Sequence, residues 1–274
     1  MYPRGAPIPC FVLMVLSGLV ILSVPGQEKS PRAPESSFAG LSFPFMAGEQ
    51  FHYRLKWKIF TAGKVEIAIR ASEQRNRQKV WHFVLIASTT SWIDKIYKVR
   101  QIIHAFPVKS LRRTCEYEAN IQQGKFHYAA KVEYEPTSRS FVYHDKLNDK
   151  TQRLVVADHC IDPLSVLYLI RSRPLPRAGE KYQLRVTDGL SVVDIPVIHE
   201  AEEKYTFAGK KYQVAKLRIS FAGLNGLFDS GKRADVFIWF TRDTRKLPVM
   251  ISGKVTVGRF YAYLERYVPG GDAP

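Results

Sequence analysis

The sequence predicts a mainly β protein, an antiparallel meander forming a curved sheet or half-barrel with one short apolar helix packed on its concave side. Three observations carry that expectation. From Gly48 onward, apolar and polar side chains alternate with a period of two, as they do when a strand turns successive side chains to opposite faces. Short turn signals separate the alternating runs, which suits hairpins and leaves no room for the helical crossovers of a parallel sheet. One segment, Asp162–Arg171, breaks the rhythm with a block of consecutive apolar residues.

In chain order, Arg4 precedes an apolar run from Cys10 to Val24, and Val24-Pro25-Gly26 offers small residues for cleavage. The run is shorter than the roughly 20 apolar residues a spanning helix needs, so residues 1–26 are expected to be a secretory signal peptide. The alternative is an uncleaved N-terminal anchor. Residues 27–46 hold three prolines and four serines without periodicity, the composition of a flexible linker. A single β-rich domain is expected over 47–268, with a disordered tail over 269–274.

The first strand shows the pattern most clearly. Phe51, Tyr53, Leu55 and Trp57 are apolar, and His52, Arg54, Lys56 and Lys58 between them are polar or basic. The same alternation sets Val65, Ile67 and Ile69 against Lys64, Glu66 and Arg70, and it places Trp81, Phe83 and Leu85 on one face. It recurs from Phe126 to Tyr134. Further strands are expected over 97–106, 112–121, 139–146, 151–157, 182–188, 190–198, 211–220, 234–241, 247–256 and 258–267. Turns are expected at Ala62-Gly63, Gln123-Gly124, Pro136-Thr137, Asn148-Asp149, Asp188-Gly189 and Ala208-Gly209. The helix opens with Asp162 as N-cap and Pro163 at its first position. Nearly every residue from Pro163 to Ile170 is apolar, and a helix without a polar face has to be buried.

Three blocks resemble a known family. Ala47-Gly48-Glu49-Gln50-Phe51-His52-Tyr53, followed by Trp57 and Ala62-Gly63, is similar to the start of a bacterial exported-protein family catalogued as domain of unknown function 3108. The block Asp162-Pro163-Leu164-Ser165 with Arg171, Pro174-Leu175 and Gly179-Glu180 is similar to its centre. Phe237-Ile238-Trp239-Phe240, Asp243, Leu247-Pro248-Val249, Gly258 and Leu264-Glu265 are similar to its end. The resemblance spans about residues 47–267. It implies an exported, β-rich half-barrel and brings no catalytic residues with it.

The residues themselves offer little catalytic chemistry. Gly226–Lys232 has the spacing of a phosphate loop, but Arg233 stands where a magnesium-binding Ser or Thr is needed, and a strand pattern follows instead of a helix. A hairpin loop is the expectation there. His144, Asp145, Asp158, His159, Cys160 and Asp162 lack the paired spacing of a metal site. Cys160 precedes a helix, yet no positioned base accompanies it. No catalytic, cofactor-binding or metal-binding residue is therefore assigned, and no cofactor is expected. Cys115 and Cys160 either pair in a disulfide or remain two buried thiols.

The formal charge is +16. For an exported chain the available polyanions are lipid headgroups and acidic polysaccharide, not nucleic acid. Arg54, Lys56, Lys58, Arg70 and Lys131, with Lys98 and Arg100, are expected to line one face, either as an ordinary solvated surface or as an anion-facing one. Trp57, Leu164, Leu167, Tyr168 and Trp239 are the candidate lining of a cleft. The expected function is that of a non-catalytic periplasmic or outer-membrane-associated protein binding a lipid or other amphiphile. The alternative is an accessory factor in capsule, exopolysaccharide or outer-membrane assembly, acting through protein or glycan contacts. A hydrolase of envelope glycan or lipid is the third possibility weighed.

Overall fold

The computed structural model describes residues 41–156, 159–224, 235–255 and 258–271. The first half of the chain forms β1 (Gln50–Trp57), β2 (Phe60–Arg75), β3 (Gln78–Thr89), α1 (Ser91–Tyr97), β4 (Val99–Pro107), β5 (Thr114–Gln123), β6 (Phe126–Glu135), β7 (Ser140–Asp145) and β8 (Lys150–Val155). After α2 (Ser165–Arg171) come β9 (Lys181–Thr187), β10 (Val192–Phe207), β11 (Lys210–Ser220), β12 (Asp235–Thr241), β13 (Pro248–Val255) and β14 (Gly258–Val268). All fourteen strands join one sheet in the order β8-β7-β6-β5-β4-β3-β2-β1-β14-β13-β12-β11-β10-β9. Every ladder is antiparallel, and every one except β1–β14 joins consecutive strands. This is the expected meander.

The alternation sets the two faces. Phe51, Tyr53 and Leu55 point inward and are buried, whereas Arg54 between them is exposed. Cross-strand register carries the outward row straight across the sheet, from Arg54 to Lys64, Ser88, Arg100, Gln122 and His127. The inward rows supply Phe83, Ile103, Ile121, Val132 and Leu217 to one continuous core.

α2 lies inside that core, with all seven of its residues buried. A helix this short is not stable alone, so its packing holds it. The Tyr168 ring stacks on Phe83 at 3.8 Å, and Phe45 meets it edge-on at 5.2 Å. Asp162 fastens the turn that leads into α2, whose N-cap position falls at Leu164, two residues later than the sequence suggests. Its carboxylate accepts the Ser165 backbone N–H at 2.8 Å, the Ser165 hydroxyl at 2.6 Å and the Thr114 hydroxyl at 2.5 Å.

Among the described residues no ladder joins β8 to β9, so the sheet curls without closing by backbone pairing. Side chains and one bridge draw the ends together instead. Ile161 pairs with Val186 in a single parallel bridge, and the Cys160 carbonyl accepts Thr114 N–H at 3.0 Å. The β9–β10 turn presses on β6 and β7, where Gly189 backs onto Val132 and Tyr143. β8, at the other edge, is short, exposed and carries Lys150 and Arg153, features that discourage edge-to-edge association.

Several expectations are corrected. Ala62-Gly63 is not a turn but lies inside β2; the chain reverses at Lys58 and Ile59, with Lys58 in the left-handed region at φ 52°. Gly63 serves a close approach at the β1–β2 register shift, because a Cβ there would sit 2.3 Å from the Ser88 carbonyl oxygen. α1 was not expected, and β10 runs nine residues past its expected end at 198. Residues 41–46 are not a free linker. Phe45 is buried, and Ser42 N–H donates to the Ser172 carbonyl at the end of α2. Residues 1–40, the glycine-rich stretch 226–232 and Asp158 lie outside the described residues.

Gly63→Val is expected to lower unfolding free energy by about 1–3 kcal/mol through the forced backbone shift. Thermal denaturation against the wild type measures it, and an unchanged midpoint would remove the close-approach argument.

Candidate functional site

The most unusual chemistry of the interior is a buried ion pair. Glu49 precedes β1 and Arg171 ends α2, 122 residues later; both are essentially inaccessible to solvent. The guanidinium donates to both carboxylate oxygens, Nη1 to Oε2 at 2.6 Å and Nη2 to Oε1 at 2.9 Å. Nη2 also reaches the Arg245 carbonyl at 3.1 Å, and the Tyr267 hydroxyl donates to Glu49 Oε1 at 3.1 Å. Phe45, Phe51 and Tyr168 place their rings within 5.0–5.7 Å of the guanidinium carbon. Bidentate pairing and aromatic walls offset a desolvation cost that an isolated charge could not meet. Lys246 closes the helix end by donating to the Arg171 and Arg173 carbonyls at 2.9 and 2.6 Å, the favourable place for a cation on the helix dipole.

A second polar group surrounds the start of α2. Burial pushes the Asp162 carboxyl up, against the opposing effect of its hydroxyl and amide donors. Burial likewise pushes the Cys160 thiol well up, only partly opposed by Arg185. That direction is the reverse of nucleophile activation. Arg185 forks onto Asp194, with both bonds at 2.8 Å, and Asp188 holds the β9–β10 turn through Leu190 and Ser191 N–H. On the outer face, His82 links Glu73 at 2.7 Å to His104 at 2.9 Å while stacking on Phe106. Among the described residues no group of three or more His, Cys, Asp or Glu side chains is arranged to hold a metal.

The family of proteins of unknown function DUF3108 matches residues 52–265 of this sequence. The chain belongs to that family. No curated protein matches it. Among solved structures, it resembles the crystal structure of a beta-barrel-like protein of domain of unknown function DUF1849 from Brucella abortus. The two are 11% identical with a TM-score of 0.53, over 84% of this chain and 100% of that one. The likeness is one of fold.

In this DUF3108 chain the residues singled out from sequence separate into different places. Leu164, Leu167 and Tyr168 are in the core, packed by the sheet around α2. Trp57 is half-buried at the end of β1, stacked on Phe260 with Lys58 over its ring. Trp239 is not on the concave side. It lies on the outer face opposite Lys216, covered by the far end of the β10–β11 hairpin, and its indole N–H donates to Glu203 at 2.9 Å. The hairpin outruns β12 and folds back over the sheet. Its tip, Thr206–Ala208, faces Arg54, Lys56 and Tyr263 across a shallow cleft of about 340 Å³.

The basic row is more balanced than its sequence suggests. Arg54 pairs with Glu265, Arg70 with Glu66 at 3.2 Å, and Lys131 with Glu133 and Glu116 at 3.0 and 3.5 Å. Lys56 lies over the Tyr263 ring. Such exposed pairs add little stability, but they cancel the local field on which anion binding would depend. Cys115 and Cys160 form no disulfide. Cys115 packs with Val80 and Phe106 in a separate small cluster, while Cys160 belongs to the main core. The register shift between Phe106 and Pro107, which sets Cys115 off the regular alternation, has no signature in the sequence.

Glu49→Ala leaves Arg171 charged and unpaired, and is expected to cost about 3–5 kcal/mol of stability. Glu49→Leu combined with Arg171→Met should recover most of it. Urea unfolding of the wild type and both variants checks this, and a double variant no more stable than Glu49→Ala would exclude a pair. Tyr267 supplies a pH dependence. Burial, then the Glu49 charge, pushes its hydroxyl up to about 12. The folded chain therefore holds that proton beyond the usual titration near 10. This contribution is complete below pH ~10 and falls away as pH rises through the folded value. Urea midpoints between neutral and strongly alkaline pH should show the decline, and Tyr267→Phe should reduce its slope.

Proposed function

We propose that this chain is a non-catalytic cell-envelope protein that works through its outer surface, as an accessory factor in envelope or surface-polysaccharide assembly, and not as a carrier of an amphiphile. One observation carries this choice. The space that an acyl chain would need on the concave side of the sheet is occupied by α2, whose every residue is buried and whose end is fixed by the Glu49–Arg171 pair. Opening that space would separate the pair and expose Tyr168 from its stack on Phe83. Core packing resists such an opening, since interiors rearrange only at the cost of lost contacts.

The apolar run Cys10–Val24, with the composition that follows it, reads as an export signal and supports the envelope part of the reading. Two measurements test the proposal. Native mass spectrometry of the purified protein is expected to give the mass of the polypeptide alone; a stoichiometric lipid adduct would return the carrier reading. Deletion of the gene is expected to reduce surface polysaccharide or weaken the outer-membrane barrier, with rescue by a Cys160→Ala variant. Failure of that rescue, with the variant stably folded, would point to chemistry at Cys160 and overturn the non-catalytic assignment.

A further inference from the structure

Four large apolar side chains face water at one end of the sheet. Ile59 and Phe60, beside the β1–β2 reversal, are 84% and 47% exposed, and Trp92 and Ile96 of α1 are 45% and 62% exposed. The Phe60 and Trp92 rings meet edge to face at 5.8 Å. Trp92 and Ile96 are four residues apart and share a helix face. The four make one apolar ridge, and exposed apolar surface gathered in one place marks an interaction site more often than scattered residues do.

The ridge stands on a fixed base. Ile93 is buried, Thr90 N–H donates to the Ala62 carbonyl, and the Tyr97 ring lies against Gly124. Asp94 binds Arg100 through both carboxylate oxygens, at 3.0 and 2.5 Å. So α1 is held with its apolar face outward. Lys58, Lys95 and Lys98 flank it, all exposed, and among the described residues none is ion-paired. They contrast with Arg54, Arg70 and Lys131 farther along the sheet, which all have carboxylate partners.

We propose that this ridge docks on an anionic phospholipid bilayer, with Trp92 and Phe60 at headgroup level and the three lysines against lipid phosphates. The charge pattern selects this occupant. A second copy would bring the same lysines together, whereas an anionic surface complements them. Trp is also the residue favoured at the membrane–water boundary. The proposal deepens the outward-facing reading above and places one of its surfaces.

The full-length protein is mixed with vesicles of phosphatidylcholine, alone or with phosphatidylglycerol, carrying brominated acyl chains that quench nearby tryptophan. Quenching is expected with phosphatidylglycerol and should fall sharply in Trp92→Phe. Replacing Lys95 and Lys98 by Ala is expected to weaken partitioning roughly twenty-five-fold, about fivefold for each lysine. The apolar run Cys10–Val24 is present in every variant, so differences between variants report on the ridge; circular dichroism confirms that each is folded. Equal quenching in wild type and Trp92→Phe would overturn the proposal. So would self-association, or capture of an acidic protein, that Ile96→Glu abolishes while vesicles cause no quenching. The two readings fail separately, because the polysaccharide phenotype of the deletion does not depend on vesicle binding.

Discussion

A charge inside a protein has to be answered by another charge, and here the answer comes from the far side of the chain. Arg171 at the end of α2 and Glu49 at the entry to β1 meet where neither touches solvent. The pair fixes the rotation and depth of the helix, since a slip by one residue would turn the guanidinium away from its carboxylate and leave its charge unanswered among the surrounding aromatic rings. It also gathers the elements nearby. Tyr267 of β14 and the Arg245 carbonyl add hydrogen bonds to it, and Lys246 secures the backbone beside it. Apolar packing could hold a helix in a barrel in many orientations; this pair leaves one.

The filled interior moves attention outward. Several basic side chains on the convex face, Arg54 and Lys131 among them, are matched by carboxylates on their own or neighbouring strands, and the folded-over hairpin shields Trp239 there. The end that carries α1 departs from this economy. Its apolar side chains are uncovered and its lysines unmatched, although the base beneath them is tightly bonded. Rigidity under an exposed apolar face is what a docking element needs, because little conformational freedom is then lost on contact.

Much of this was legible in the sequence, because a strand with one wet face writes its orientation into every second residue. Phe51, Tyr53 and Leu55 went inward as their alternation requires, and the apolar block from Leu164 to Ile170 was buried as a helix with no polar side must be. What stayed hidden depends on distant partners or on single displaced residues. Trp239 sits in a continuous apolar run, Val236–Phe240, that has no rhythm to orient it, since the hairpin buries the outer side as well. α1 is a single pair of turns, too short for periodicity, and it is held by Arg100 from the next strand. Gly63 looked like punctuation and is instead a point of contact. Glu49 and Arg171 both stood within the blocks shared with the family, but nothing local to either one names the other.

The neighbours in the middle of the sheet, β1 and β14, are the first and last in chain order of the described strands. A chain emerging from its N-terminus can zip β1 through β8 hairpin by hairpin, yet the seam between the two halves has to wait for the final residues. Until then β1 offers a bare backbone edge in the centre of the growing structure. Folding is thus sequential in each arm and long-range at the seam, where closing so large a loop is slow. A truncated or stalled chain would present that edge to whatever strand is nearby, so quality control of this protein begins at its last strand.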